Sequence, residues 1–518
     1  MKRTITIALL LAVSAAALYT TRLSTAPQYL ARDEVISGDL AQSIVTTGRD
    51  LDGNRYPLFL GEPTYHPGRD PLLIYATALL LKFMPLSEFA VRLPNALVGV
   101  LDIVLMFFVA RQIFRSDLIG VIAAAMLAFA PAHFIHSRLA VSLLLPLPFA
   151  LAWLWWLAAF VEKETIGRLW GAAVSLGLGL YGYLASVMLM PIYLACSAWV
   201  AGRRDIIRRS VVLVAGFLIP AVPLVVWELL HPTRFHDMIT VYHPYAPRFG
   251  PLQGVKEMLS YFSLGVRSAN YWTNLNPSLL FFEGDASLIN STRLGGVFLW
   301  PMAFLMATGV YQMLTSRRSP FALVILIGFI TAPLPQVLTV DVGIRRSLVM
   351  VVFGVLMAAY GVEFLLMRGR LIIYRAAAIL LLVILPFSFR NFYRDYAGDY
   401  QTRSAYWFGN NIRGMFEDLM TLRPKGSTSP VYLSNRVPYL DEYGAFYTAA
   451  HAREDLLKDT HYYSPDLIDR LTAPGRSLLV APANGIPSEA SLGSSGWSPV
   501  KIVREPTGQP VFVIYEKK

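Results

Sequence analysis

"YLARDEVISGDLAQSI", residues 29–44, follows directly on the first apolar run of the chain, at about residues 4–21, and how it is read decides the fold. The run begins behind Lys2 and Arg3 and gives way to two adjacent carboxylates, Asp33 and Glu34. A basic start, an apolar stretch of spanning length and an acidic exit describe a chain that has crossed a bilayer from the inside. The same twenty residues can also be read as a cleavable signal peptide. An uncleaved span is the reading that keeps the charge bias of everything downstream.

Working outward, ten more apolar runs lie at about 90–110, 118–134, 140–160, 170–184, 186–201, 210–230, 295–314, 320–336, 347–366 and 372–389. The pair around Ala185 is short and closely spaced, so it is either a hairpin or one bent helix. With the N-terminus inside, the inner loops hold fifteen Lys and Arg, and the short outer loops hold three: Arg138, Arg345 and Arg346. That is the positive-inside pattern, and eleven spans put the C-terminus outside. The composition agrees, with 518 residues of which 55% are hydrophobic and 15% charged. The net charge of +11 belongs to the inner loops and implies no nucleic-acid partner. The single cysteine, Cys196, excludes an intramolecular disulfide framework and a cysteine metal cluster.

Three outer segments result, 22–89, 231–294 and the short loop 336–346, together with a C-terminal region 391–518 of soluble composition. In the first, Glu34–Thr46 and "DPLLIYATALLLKFM" (70–84) suit helices lying in the interface plane. "HPTRFHDMITVYHPYAPRFG" (231–250) reads as an irregular surface loop. In the C-terminal region, "SPVYLSN", "RSLLVAP", "VKIVRE" and "PVFVIYE" read as strands and 441–457 as helical, giving a small α/β domain. It carries no Gly-rich phosphate loop.

Asp33 has two compatible readings. It can cap a helix beginning at Glu34, accepting bonds from orphan N–H groups. It can also accept a proton from a hydroxyl at the membrane boundary. Side chains one residue apart on a helix diverge by about 100°, so Asp33 and Glu34 face different surroundings. "YHPGRDPLLIY" (65–75) offers His66, Arg69 and Asp70; a guanidinium there meets phosphate oxygens in bidentate fashion or anchors a lipid headgroup. His66, His133 and His136 lack the spacing and carboxylate partner of a metal site, so no metal and no cofactor is expected. Arg138 in "HFIHSRLAV", Arg345 and Arg346 with Asp341 in "TVDVGIRRSLVM", and Glu283 and Asp285 in "NPSLLFFEGD" complete the outer charges of interest. Asp102, inside the second span, reads as a helix–helix hydrogen-bond partner.

"ARDE", "RDPLLIYATALL", "SEFAVRLPNALVGV", "HSRLAVS", "LGLYGYLAS", "NPSLLFFEGD" and "PLPQVLTVDVGIRRS" occur in an order that resembles the GT-C fold glycosyltransferases. Over residues 1–390 the chain is similar to the bacterial branch of protein O-mannosyltransferases and lipid A aminoarabinose transferases. The resemblance implies an enzyme of the bacterial inner membrane, with the active site and the C-terminal domain on the periplasmic face. It implies a polyprenyl-phosphate sugar as donor, no metal, and a glycan, lipid or protein hydroxyl as acceptor. By position in these motifs Asp33 is the catalytic base and Glu34 an acceptor-binding residue. Arg69, Arg138 and Arg346, or Arg345 if the register slips by one, are implied to hold the donor phosphate; His66, Asp70, Glu283 and Asp285 remain further site candidates from the residue pattern itself. "LAVSLL" after Arg138 lacks the acidic residue of the mannosyltransferases, and the late loop lacks their His. Loop 231–294 is too short for the β-rich domain of the eukaryotic enzymes, which turns the expectation away from protein mannosylation. An O-antigen ligase or polymerase would rely on late-loop Arg and His instead of the early acidic pair. A transporter or catalytically dead scaffold is the alternative without chemistry.

Overall fold

The structure, a computed structural model, describes residues 2–62, 65–202, 204–242, 246, 250–315, 319–339, 343–368, 371–484 and 489–518. Asp341 lies outside the described residues, as does the His66 side chain. A helix stands on each of the eleven apolar runs. Among the described residues seven helical stretches are long and apolar enough to cross a membrane. They are Lys2–Thr20, Glu88–Phe114, Ser142–Glu162, Ile206–Leu230, Pro320–Val337, Met350–Met367 and Ile372–Ala397. The other four, Asp117–Ala128, Ile166–Gly179, Ser186–Ala201 and Pro301–Thr315, have 12–16 residues. Pro131 ends one of these runs early and starts a separate short helix, Pro131–His136. The pair around Ala185 is two helices, broken at Leu180–Ala185.

Interhelical contact depends on small residues. A Cβ on Gly309 would lie 1.8 Å from the Met357 carbonyl oxygen, and one on Gly361 would lie 2.0 Å from that of Leu305. Glycine is the one residue type that lets helices Pro301–Thr315 and Met350–Glu363 touch backbone to backbone. The second of these is buried along almost its whole length.

Outside the apolar bundle the first outer segment forms helix Arg32–Thr47, an antiparallel hairpin of β1 (Leu60–Glu62) and β2 (Tyr65–Arg69), and helix Pro71–Leu81. The C-terminal region holds a five-stranded mixed sheet of β3 (Val431–Ser434), β4 (Thr460–Tyr463), β5 (Leu478–Pro482), β6 (Trp497–Arg504) and β7 (Pro510–Lys517), in the order β4-β3-β5-β7-β6. β3 runs parallel to β4 and β5, while β7 is antiparallel to β5 and β6. The short strand β4 is an addition to the expected four. The expected helical stretch is Leu440–Ala450 followed by a turn of helix at Asp455–Lys458. Segment 231–250 is not wholly irregular, because Arg234–Tyr242 is helical, and Pro251–Met258 and Tyr261–Thr273 continue the outer segment as helices.

The apolar face of helix Arg32–Thr47 is covered by protein. Its residues Val35, Leu40 and Ala41 share one core with Ile74, Ala90, Phe416, Phe446 and Ile514, where a membrane was expected to cover them. The C-terminal domain is thus fused to the first outer segment. Polar contacts fix the register: Tyr443 Oη donates to the Leu30 carbonyl at 3.0 Å, and Glu88 accepts from Arg413 at 3.0 Å and from Tyr447 at 3.1 Å. Helix Arg32–Thr47 meets helix Leu440–Ala450 at Gly38, where a Cβ would lie 2.6 Å from Phe446 Cε2 and 3.1 Å from Val91 Cγ2. Gly38→Val therefore overpacks this junction and costs about 1–3 kcal/mol, read as a lower melting temperature and faster protease cleavage ahead of the C-terminal domain.

Candidate active site

The helix that opens at Arg32 is started by Glu34, not by Asp33. Glu34 Oε2 accepts from the backbone N–H of Ala31, the N-cap residue, at 2.9 Å. That is one half of a capping box, with the acid at the third helical position. Asp33 falls at the second position, turned away by about 100°. The capping reading of Asp33 is corrected accordingly, and its carboxylate is left for other partners. Its side chain is 52% exposed, whereas that of Glu34 is 0%.

Strand β2 delivers Arg69 to Asp33. Nη1 donates to Asp33 Oδ1 at 2.9 Å, and Nη2 donates to Glu62 Oε1, on the paired strand, at 3.0 Å. The Tyr65 ring lies under the guanidinium at 4.9 Å. The hairpin thus presents one arginine between two carboxylates, which fixes its plane. Asp70 follows at the start of helix Pro71–Leu81. Arg234, from the second outer segment, donates to the Pro67 carbonyl at 2.7 Å, pairs with Glu228, and lies 3.6 Å over the Phe59 ring. Arg345 and Arg346 sit on a short helical turn, Ile344–Arg346, whose first N–H is held by Asp285 at 2.8 Å. Asp285 also accepts from Ser287 N–H and Asn290 Nδ2, so it is buried as a staple of that loop.

These groups meet in one cavity of about 1260 Å³, lined by Asp33, Arg69, Asp70, Arg234, Arg345 and Arg346, with the C-terminal domain as its far wall. Its lining also includes the apolar residues Ile74, Leu143 and Leu184.

Asp285 does not line the cavity, and three further expected residues, Glu34, Arg138 and Glu283, are elsewhere. The Glu34 carboxylate is sealed inside the protein. It accepts from Arg92 Nε at 2.8 Å and Nη2 at 3.1 Å, and from Ala140 N–H at 2.9 Å, as well as from Ala31. With every lone pair so occupied it has no reach to an acceptor. Arg138 is also fully buried. It donates to the carbonyls of Tyr19 at 2.6 Å and Ala26 at 2.9 Å, between the rings of Phe134 and Tyr396, and so ties the first span to its exit loop instead of facing the cavity. Glu283 is exposed beside Arg293 and Arg403, outside the main cavity. His133 and Asp102 bond each other at 3.2 Å in the interior, with Tyr19 on the other ring nitrogen at 2.8 Å. The His136 ring bonds the Ala132 carbonyl. Arg32 and Arg234 are additions to the expected set. Arg234, a basic residue in an outer segment against the charge rule, was open to notice.

The comparisons with known proteins give this arrangement a frame. The family model for dolichyl-phosphate-mannose-protein mannosyltransferases matches residues 65–227. No curated protein matches the sequence. Among solved structures, ArnT from Cupriavidus metallidurans in the apo state aligns with 98% of this chain and 97% of its own, at 15% identity and a TM-score of 0.57. The chain has the GT-C fold. ArnT bound to undecaprenyl phosphate aligns over the same shares at 16% identity and a TM-score of 0.55. As in any GT-C protein, function has to be argued from the site. Here an arginine-rich pocket with apolar residues in its lining holds a half-exposed carboxylate. Such a site can bind a phosphate whose other substituent is a lipid, and it can take one proton.

Proposed function

We propose that this chain is an inverting glycosyltransferase that moves a sugar from a polyprenyl-phosphate donor to an acceptor hydroxyl. The observation that carries the reading is the pairing of Asp33 with Arg69 at 2.9 Å in a cavity also lined by Arg345 and Arg346. Asp33 removes the proton of the acceptor hydroxyl as its oxygen forms a bond to the anomeric carbon. The bond from that carbon to the phosphate oxygen breaks, and its electron pair stays on the polyprenyl phosphate. Arg69, Arg345 and Arg346 stabilise that charge before and after the break. A phosphate leaves without a proton donor, so one base suffices. Arg69 spends three N–H contacts on Glu62 and Asp33, which leaves two of its five donors for phosphate oxygens. Glu34 and Arg138 take no part in binding; they hold the frame around Asp33.

In this reading all eleven apolar helices cross or fill the inner membrane of a bacterium, with the N-terminus cytoplasmic and the cavity and C-terminal domain periplasmic. The charge bias of the loops supports that orientation. The donor's tail stays in the bilayer beside the apolar lining while its sugar enters the cavity. The test is mass spectrometry of envelope glycolipids and glycoproteins from a deletion strain complemented with wild type or with Asp33→Asn. One sugar increment lost on deletion and restored by wild type alone supports the reading. Full restoration by Asp33→Asn at equal expression rejects the base.

Asp70 gives the site a pH dependence. Burial pushes its carboxyl up to about 7, against the opposing pull of Arg234 and Arg69. Below that pH the group is neutral and the cavity more positive; above it, a carboxylate competes with the phosphate for the same guanidiniums. Donor affinity falls by roughly three- to tenfold between about pH 6 and about pH 8. Asp70→Asn flattens the dependence, which donor titrations at a series of pH values check.

A further inference from the structure

The wall supplied by the C-terminal domain differs in chemistry from the rest of the cavity. Tyr406, Trp407 and Tyr439 line it and remain 79%, 45% and 47% exposed. Arg436, Asn484 and Gln509 line the same wall and are exposed. Aromatic faces left to water inside a cavity, among planar amide and guanidinium groups, ask for a ligand with flat apolar faces and a polar rim.

Tyr439 is also held in an unusual way. Its backbone is left-handed, at φ 64°, a conformation that costs a bulky residue free energy and persists where the surroundings impose it. One face of its ring is covered by the Arg32 guanidinium at 4.0 Å. Arg32 is locked in turn by two bonds of 2.6 Å to Glu442, one turn along the same helix. Arg32 adjoins Asp33, so the ring is tied to the residue before the base and offers its uncovered side to the cavity.

We infer that this wall is the acceptor subsite and that it takes a saccharide ring, stacked on Tyr439 and flanked by Tyr406 and Trp407, with Arg436, Asn484 and Gln509 bonding its hydroxyls. The inference rests on the transferase reading for the word acceptor, though the binding itself does not need it. A pyranose has C–H faces for the rings and in-plane hydroxyls for the amides and guanidinium. A polypeptide acceptor fits less well. The strands that reach this wall, β5 and β7, are each paired on both sides, so no open sheet edge is available to an extended peptide.

The test is saturation-transfer NMR on the full-length chain in lipid nanodiscs. The probes are the methyl glycosides of glucosamine, galactose, mannose and rhamnose, with a Ser/Thr-containing octapeptide as the rival. Transfer to the ring protons of at least one glycoside is expected in the wild type and in Tyr439→Phe, which keeps the ring. It falls roughly three- to tenfold in Tyr439→Leu and in Tyr406→Leu, in line with the loss of one aromatic contact. Tyr406 is exposed enough for its substitution to leave the fold intact. Signals from the glycosides no stronger than from the peptide, or unchanged in both Leu variants, overturn the inference. Asp33→Asn keeps the glycoside signal, so failure of the base assignment and failure of the subsite are told apart.

Discussion

Asp33→Asn lowers kcat by roughly 10²- to 10⁴-fold, the usual worth of a positioned general base, while the donor still binds. The substitution is nearly isosteric, and Asn Oδ1 still accepts from Arg69. It does not disturb the start of the helix, because Ala31 is capped through Glu34 and not through Asp33. Loss of the negative charge beside Arg69 also leaves that guanidinium more available to phosphate, so the donor KM stays level or falls. A drop in kcat with an unchanged or lower KM is the signature of a group that acts in the transition state. Arg69→Gln gives the opposite split, with a raised donor KM. Steady-state kinetics with a short-chain polyprenyl-phosphate sugar separate the two. Wild-type turnover in Asp33→Asn at full folding yield removes Asp33 from the chemistry.

The sequence marks these residues unevenly, for reasons that are physical. The apolar runs were legible because a bilayer imposes a length and a composition on any helix that crosses it. A helix is found on each of them, although Pro131 and the break at Leu180–Ala185 shorten some. The strands of the C-terminal domain were legible from their β-branched and aromatic runs, apart from β4, whose "THYY" carries no alternation. Docking was not legible. The amphipathic helix Arg32–Thr47 would look the same whether lipid or protein covered its apolar face, and the protein that does so lies some 400 residues downstream, as in the Arg32–Glu442 pair.

The site shows the same limit more sharply. Asp33 and Glu34 are neighbours of similar chemistry, and helical geometry says that they diverge without saying which faces the cavity. Arg92 decides that, 58 residues away. A signal existed, since an arginine within an apolar run demands a partner, and Glu34 is a carboxylate available at the matching depth. Arg138 misled because its position against the charge rule does call for compensation, but two buried carbonyls supply it in place of a phosphate. Tyr439 and its grip on Arg32 have no local signature at all.

Glu34→Gln is the substitution expected to damage the fold most. Arg92 is completely buried, and all five of its N–H groups are used. Three go to the carbonyls of Leu23, Pro27 and Tyr29, and two to the Glu34 carboxylate. The pair therefore gathers the exit loop of the first span around the start of the second. Neutralising Glu34 leaves a buried guanidinium without its counter-charge and presents an amide NH2 to donors, a loss of about 3–5 kcal/mol. The expected result is a much lower melting temperature in detergent, or failure to accumulate in the membrane. Arg92→Met alone strands a carboxylate in the same place. The double variant, with Glu34→Gln, falls short of the summed losses, because each single change carries the penalty of an unmatched charge or donor that the other removes. Recovery is partial, since the three carbonyls remain without their donor. An acceptor-binding Glu34 predicts something different: normal stability with a raised acceptor KM. Melting curves of the two single variants and the double variant distinguish a structural ion pair from a substrate contact before any substrate is in hand.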